Sequence, residues 1–294
     1  MMNAKRIYTF LAMLIGVANF QFSIFNFQIG TLRAQTDSVR VVQLLEQGKK
    51  EATAPLHLWY ARQLIGTPYV AQTLEVNKQE RLVVNLHELD CTTFVETALA
   101  LALTQKQGST HYKDYRKNLT HIRYRNGKLD GYASRNHYFT QWIESNEHLG
   151  IVKEVKSPKA PFTATQRISL HYMSRYPHLY PMLKNDKQAQ FLIRQYEREC
   201  EGHVVHYIPR DQLNQQKSSP LGIIHDGDIL AIVTRKEGLD TSHIGFAVWG
   251  EDNCLHLLNA SQIHGKVILE PMTLFDYMGN HPLQLGVRVI RAQH

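Results

Sequence analysis

Residues 89–96 read Leu89-Asp90-Cys91-Thr92-Thr93-Phe94-Val95-Glu96, and the setting of the cysteine in this stretch decides how the chain is read. A β-rich run, Arg81 to Leu86, comes just before it. After it Phe94, Val95, Ala98, Leu99, Ala102 and Leu103 are apolar at helical spacing. The pattern predicts a strand followed by a helix. Asp90 suits the N-cap, and Thr93 or Glu96 can close the first turn. Cys91 then stands at about the first helical position, where unpaired backbone N–H groups favour a thiolate. Free cysteine is also among the most buried residue types, so a core thiol is the competing reading of this segment taken alone.

Outward from the cysteine, the spacing predicts helix over 38–66. Val39, Val42, Leu44 and Leu45 form one apolar face; Leu56, Trp59, Tyr60 and Leu64 form another. Pro55 suits a first helical turn, and Gly66-Thr67-Pro68-Tyr69 breaks the pattern. Residues 105–220 alternate short helical and irregular pieces. Ile122 to Gly127 resembles a strand entering a tight turn, Tyr132 to Phe139 is dense in polar aromatics, and Gln188 to Arg198 is helical and charged. The character changes at the Asp226-Gly227-Asp228 turn. Strands are expected at Ile229 to Val233, His243 to Trp249, Leu255 to Ala260 and Gly286 to Ile290, with Gly250 to Asn253 as a hairpin loop. Helices first and an antiparallel sheet last make an α+β class rather than alternating βαβ units. No internal repeat, low-complexity tract or Pro-rich linker divides the chain.

A cysteine nucleophile needs a base, and the base needs an orienting group, both expected far away in sequence. Two strand-borne residues fit. His243 lies in Leu239-Asp240-Thr241-Ser242-His243-Ile244-Gly245-Phe246, where Gly245 lets another group approach the backbone. Asn259 ends the next strand, and its side-chain carbonyl can hold an imidazole in one tautomer. Singly, each has a plainer reading, as a hydrogen-bonded surface histidine and a turn asparagine.

Sixteen histidines require a metal site to be weighed. His203 and His206, three apart with Glu201 beside them, sit in a run that favours a strand, where the two point to opposite faces. His-Glu-x-x-His is absent, so no metal is expected. Glu88, Asp90 and Glu96 cluster around Cys91, but capping and helix-dipole roles explain them without a glycosidase carboxylate pair.

Residues 1–34 have the outline of a secretory signal peptide: Lys5 and Arg6, an apolar run from Ile7 to Phe20, then small residues near Ala34. Asn19, Gln21 and Asn26 interrupt the apolar run and argue against a lasting membrane span. Export to the periplasm or cell envelope is expected, with 35–294 as one domain. The formal charge of +7 drops by three, to +4, once Lys5, Arg6 and Arg33 are removed. That mild, diffuse basicity suits an anionic polymer and shows no dense Lys/Arg stripe for nucleic acid. Three cysteines leave at least one without an internal partner; Cys200 and Cys254 are the pair available for a disulfide, or two inert buried thiols.

The three stations together resemble the N-acetylmuramoyl-L-alanine amidase-like family, within the NlpC-type papain-like cell-wall hydrolases. The resemblance rests on Asp90-Cys91-x-Thr93-Phe94-Val95-Glu96, on Gly238-Leu239-Asp240-x-Ser242-His243-Ile244-Gly245 and on Asn259-Ala260-Ser261. Gly66-Thr67-Pro68-Tyr69, Tyr132-x-Ser134-Arg135-x-His137-Tyr138-Phe139-x-x-Trp142, Met173-Ser174, Tyr207-Ile208-Pro209 and Asp226-Gly227-Asp228 agree with it. The likeness runs from about residue 55 to the C-terminus. It implies a papain-like fold in which the nucleophile helix packs on an antiparallel sheet, with 105–220 as an insertion shaping the substrate groove. It implies a cysteine hydrolase acting on peptidoglycan without a cofactor, with Cys91 as nucleophile held as thiolate, His243 as base and Asn259 as orienting residue. A histidine is the commoner third residue of that family, and His256 and His264 compete for the role. Asp90, Tyr69, Ser134, Arg135, His137 and Tyr138 are the implied substrate contacts, with Arg135 suited to a stem-peptide carboxylate. The bond expected to be cut joins N-acetylmuramic acid to L-Ala. The alternatives are an endopeptidase acting within the stem peptide and an exported cell-wall-glycan binding protein without turnover.

Overall fold

The computed structural model describes residues 36–51 and 55–293; the expected leader over 1–34 lies outside them. Two helices come first among the described residues, α1 over 36–48 and α2 over Leu56–Gln63. The buried face of α1 is Val41, Leu44 and Leu45, while Val39 points outward. Helix α3, Cys91–Lys106, follows. Its Phe94, Val95, Ala98, Leu99 and Ala102 are fully buried, as the spacing predicts. The alanines let α2 and α4 (Tyr112–Arg123) approach its axis closely.

The sheet is eight-stranded, and every pairing in it is antiparallel. Its strands are β1 (Val152–Val155), β2 (Ala164–Arg167), β3 (Val204–Pro209), β4 (Ile229–Thr234), β5 (Thr241–Trp249), β6 (Leu255–Ser261), β7 (Lys266–Leu269) and β8 (Gln284–Ala292). Their order is β2-β3-β8-β4-β5-β6-β7, with β1 also pairing β8. The middle of the chain thus contributes β1, β2 and β3 to the same sheet as the C-terminal strands. It also contributes α5 (Phe139–His148) and α7 (Lys187–Glu199).

Side-chain alternation divides the core into two layers. Ile244, Phe246 and Leu258 join Phe94, Leu99 and Trp142 on the α3 side. Ala247, Leu257 and Val287 face the other way, against Leu274 and Met278 of α8 (Leu274–Gly279). Strand β4 is buried throughout, as a central strand covered on both faces must be.

Two expected strands are absent. Arg81 to Leu86 is extended but pairs with no strand. Side chains satisfy its backbone instead: Arg123 Nη1 donates to the Val83 carbonyl at 2.6 Å, and the Leu86 N–H donates to Asp37 Oδ1 at 2.8 Å. Ile122 and Arg123 end α4, because Tyr115, Asn118, Leu119 and Ile122 continue a helical stripe facing the core. The tight turn itself is present, with Asn126 and Gly127 at positive φ. The helix expected at Gln188 to Arg198 and the strands expected at 229–233, 243–249, 255–260 and 286–290 are all present. Cys200 and Cys254 are free thiols and do not pair.

Candidate active site

Asp90 and Thr93 lock the start of α3. The Thr93 N–H donates to Asp90 Oδ1 at 2.8 Å, and the Asp90 N–H donates to Thr93 Oγ1 at 2.9 Å. This reciprocal cap satisfies two backbone donors and makes Cys91 the first helical residue. Glu96 takes no part in it; it forms a buried ion pair with Arg123 of α4 at 2.7 Å. The turn before the helix is tied to the sheet. Leu89 bonds the Pro68 carbonyl, and the backbone of Gly66 to Tyr69 runs against Gly265 to Val267. Tyr69 is thereby held near the thiol. Burial, with the nearby Cys91 and Asp90, pushes its phenol up to about 12.

His243 and Asn259 come from adjacent strands. The β5–β6 register pairs Phe246 with Leu258, so one step further Gly245 faces Asn259 and His243 lies diagonally on the same side. The two side chains meet with His243 Nε2 2.8 Å from Asn259 Oδ1. A Cβ on residue 245 would stand 2.7 Å from the Leu258 carbonyl and 3.0 Å from Asn259 Cβ, so glycine is what lets the strands close here. His256 and His264 do not touch His243. His256 bonds the Glu270 carbonyl and Asp252, and His264 bonds Glu270 Oε2 at 3.1 Å.

Cys91 and His243 line one cleft of about 120 Å³ with Thr92, His137, Tyr138, Phe139, Trp142 and residues 239–242. Cys91 Sγ lies 4.0 Å from Thr92 Oγ1 and receives the Ile244 N–H. Among the described residues no hydrogen bond joins Cys91 to His243; such contacts commonly close only around substrate. Burial pushes the Cys91 thiol up to about 12, and the Asp90 carboxylate adds to the rise, while hydrogen bonds from Ile244 and Thr92 oppose it. Burial also holds the His243 imidazole below its ordinary value, against Asn259, Glu270 and Asp90. Desolvation thus opposes the thiolate that the start of α3 favours.

The other sequence-derived contacts divide. Tyr69 and Asp90 flank the cysteine, and His137 and Tyr138 line the cleft. His137 is hydrogen-bonded to the Tyr132 carbonyl at 2.8 Å, and burial, then Arg135, lowers it to about 3. The Tyr138 hydroxyl donates to Glu197 at 2.6 Å and accepts from the Met173 N–H. Ser134 and Arg135 are buried and engaged within the protein: Ser134 with Gly131 and Asp130, Arg135 with Glu75 and Glu80. A groove role for Arg135 thus meets a guanidinium already shared between two carboxylates. Sequence reasoning missed Glu270, Tyr277 and His281. Glu270 accepts from Asn259 Nδ2 at 3.1 Å, and the Tyr277 ring lies 6.4 Å from that of His243. Among the described residues, the histidine pair at 203 and 206 holds no common partner. His203 instead groups with Glu144 and Cys200, whose ligand atoms lie within 4.8 Å of one another and outside the cleft lining.

A family model described as AmiA-like, N-acetylmuramoyl-L-alanine amidase-like, matches residues 60–287. The chain belongs to this amidase-like family. An N-acetylmuramoyl-L-alanine amidase from Bacteroides uniformis has 37% identity and a TM-score of 0.74, over 84% of this chain and 99% of that one. A protein from Bacteroides fragilis provisionally described as a xylanase has 41% identity and a TM-score of 0.73, over 80% and 99%. The Legionella pneumophila protein LPG0564, at 22% identity and a TM-score of 0.67, shares the fold. No curated protein matches. Membership covers both ends of the candidate site, since Cys91, His243 and Asn259 all fall inside the matched span. Among the described residues of this amidase-like chain, no helix is long and apolar enough to cross a membrane.

Proposed function

We propose that this chain is an exported, cysteine-dependent peptidoglycan amidase of papain-like, NlpC-type build, cutting the amide between N-acetylmuramic acid and L-Ala. The observation that carries the reading is the 2.8 Å contact of His243 Nε2 with Asn259 Oδ1 in the cleft that Cys91 also lines. It leaves Nδ1 of His243 as the ring atom available to the thiol. As Cys91 Sγ attacks the lactyl carbonyl, His243 Nδ1 takes the thiol proton. The oxyanion is met by the Cys91 and Thr92 N–H groups, the first two of α3, a contribution of about 3–4 kcal/mol per donor. Collapse breaks the C–N bond, and His243 returns the proton to the leaving L-Ala amine. Water, deprotonated by His243, then releases the lactyl carboxylate and restores the thiol. His243 thus acts as the general base during attack and as the general acid during collapse.

The narrow cleft suits a small side chain beside the scissile bond. Glycoside hydrolysis, suggested by the description of one relative, would need two carboxyl groups facing a common space. Asp240 is the one carboxylate of the cleft lining among the described residues, and backbone N–H groups of Thr140 and Thr241 occupy both its oxygens.

Muropeptides incubated with wild type and Cys91→Ser, with products resolved by mass, test the reading. Loss of a free stem peptide beginning at L-Ala in the variant supports it. A cut between stem residues makes the chain an endopeptidase. Binding without wild-type turnover, or turnover that survives Cys91→Ser, sinks it.

A further inference from the structure

Asn259 is fully buried, and its amide can be set in two orientations that differ by exchange of oxygen and nitrogen. Only one of them serves a base. With Oδ1 toward His243, the imidazole must carry its proton on Nε2, which leaves Nδ1 basic. With Nδ2 toward His243, the proton moves to Nδ1, and the base faces the thiol with a donor.

The surroundings decide between them. Asn259 Nδ2 donates to Glu270 Oε1 at 3.1 Å, the shortest of its contacts; the carbonyls of Leu257 and Ile268 lie at 3.4 and 3.5 Å. A carboxylate only accepts, so it rejects the flipped amide. Glu270 is itself fixed: it is buried, and its second oxygen meets His264 Nε2 at 3.1 Å near the surface. We infer that Glu270 is a positioning residue that sets the orientation of the Asn259 amide and, through it, the tautomer of His243. The geometry is a continuous chain: His243, Asn259, Glu270, His264. Its negative member stands one residue beyond the neutral asparagine. A carboxylate is thus kept in the system without touching the imidazole.

The electrostatics run the same way. The groups facing His243 are Asn259 on β6, Glu270 after β7, Tyr277 on α8, His281 beyond it, and Asp90 and Cys91 at the start of α3. Glu270 and Asp90 favour the protonated ring, whereas His281 disfavours it.

This inference rests on the cysteine-hydrolase reading, but its first test does not need turnover. In the full chain labelled with 15N-histidine, the His243 signal is identified by its loss in His243→Gln. Wild type is expected to show the Nε2–H tautomer alone. Glu270→Gln, which keeps size but removes the charge and adds a donor, is expected to show a second, Nδ1–H population. With muropeptide substrate it should lower kcat about tenfold at unchanged KM, and shift the acidic limb of the rate profile to lower pH. A merely structural glutamate would alter melting without altering the tautomer. If Glu270→Gln fails to fold, His264→Ala decides, because that partly exposed change frees the outer carboxylate oxygen and should produce the same mixture in smaller measure. A folded Glu270→Gln, or in its place His264→Ala, with a wild-type tautomer and rate profile overturns the inference. Turnover that survives Cys91→Ser would overturn the hydrolase reading alone and leave the tautomer result standing.

Discussion

His243 and Asn259, sixteen residues apart, meet at 2.8 Å across two neighbouring strands, with a glycine rather than a side chain between them and the partner backbone. Asn259→Ala removes the acceptor that holds the imidazole. It should lower kcat by about ten- to a hundredfold, part of the 10²–10⁴ that a positioned base contributes, while leaving KM near wild type. Steady-state kinetics on a muropeptide measure this. An unchanged kcat would remove Asn259 from the site.

Gly245 bears on the same contact from the backbone. An alanine there meets the Leu258 carbonyl at 2.7 Å, a contact that must move a strand rather than a flexible side-chain end. Gly245→Ala should both lower the urea midpoint, by about 1–3 kcal/mol of stability as for other overpacked sites, and slow turnover. Loss of stability with full activity would show that the strands separate without disturbing the pair.

Asp90 has two separable roles. Its carboxylate caps α3, and its charge raises the Cys91 thiol. Asp90→Asn keeps a capping oxygen but removes the charge, so the thiol should ionise at lower pH. The pH dependence of iodoacetamide labelling, followed on the Cys91 peptide, should shift downward. Asp90→Ala loses the cap as well and should cost about 1 kcal/mol of stability. A labelling curve unmoved by Asp90→Asn would contradict the charge effect.

Two further histidines tie stability to pH. Burial lowers the imidazole of His57, and burial with Arg135 lowers that of His137 to about 3. In the unfolded chain both take up protons near pH 6.5, so below that value the unfolded state binds more protons. Their contribution is complete above about pH 6.5. Below it each loses at most about 1.4 kcal/mol per pH unit, down to about pH 3 for His137. Urea midpoints between pH 7.5 and 5 should fall accordingly, and His137→Gln should flatten the slope. A slope equal to wild type in that variant would rule out His137 as a source.

Local rules account for what was legible in the chain. The cap at Asp90, the apolar spacing of α3, the breaks at Gly66 and Asp226 and the C-terminal strands all depend on residues within a turn or two of one another. The same rules failed where distant side chains took over backbone groups. Arg81 to Leu86 looks like a strand, but Arg123 and Asp37 satisfy its peptides, so no ladder forms.

By itself the sequence determined an α+β chain with a cysteine at a helix start and a histidine and asparagine on successive strands, because capping, periodicity and strand alternation are short-range. Tertiary structure alone decided which polar groups meet and which are spent. It brought Glu270 to Asn259, closed Arg135 between Glu75 and Glu80, and set the half-buried Cys91 and His243 in one cleft where desolvation opposes their charged forms. Partnership across the sheet depends on register, and charge state depends on desolvation; neither is encoded in any local run of residues.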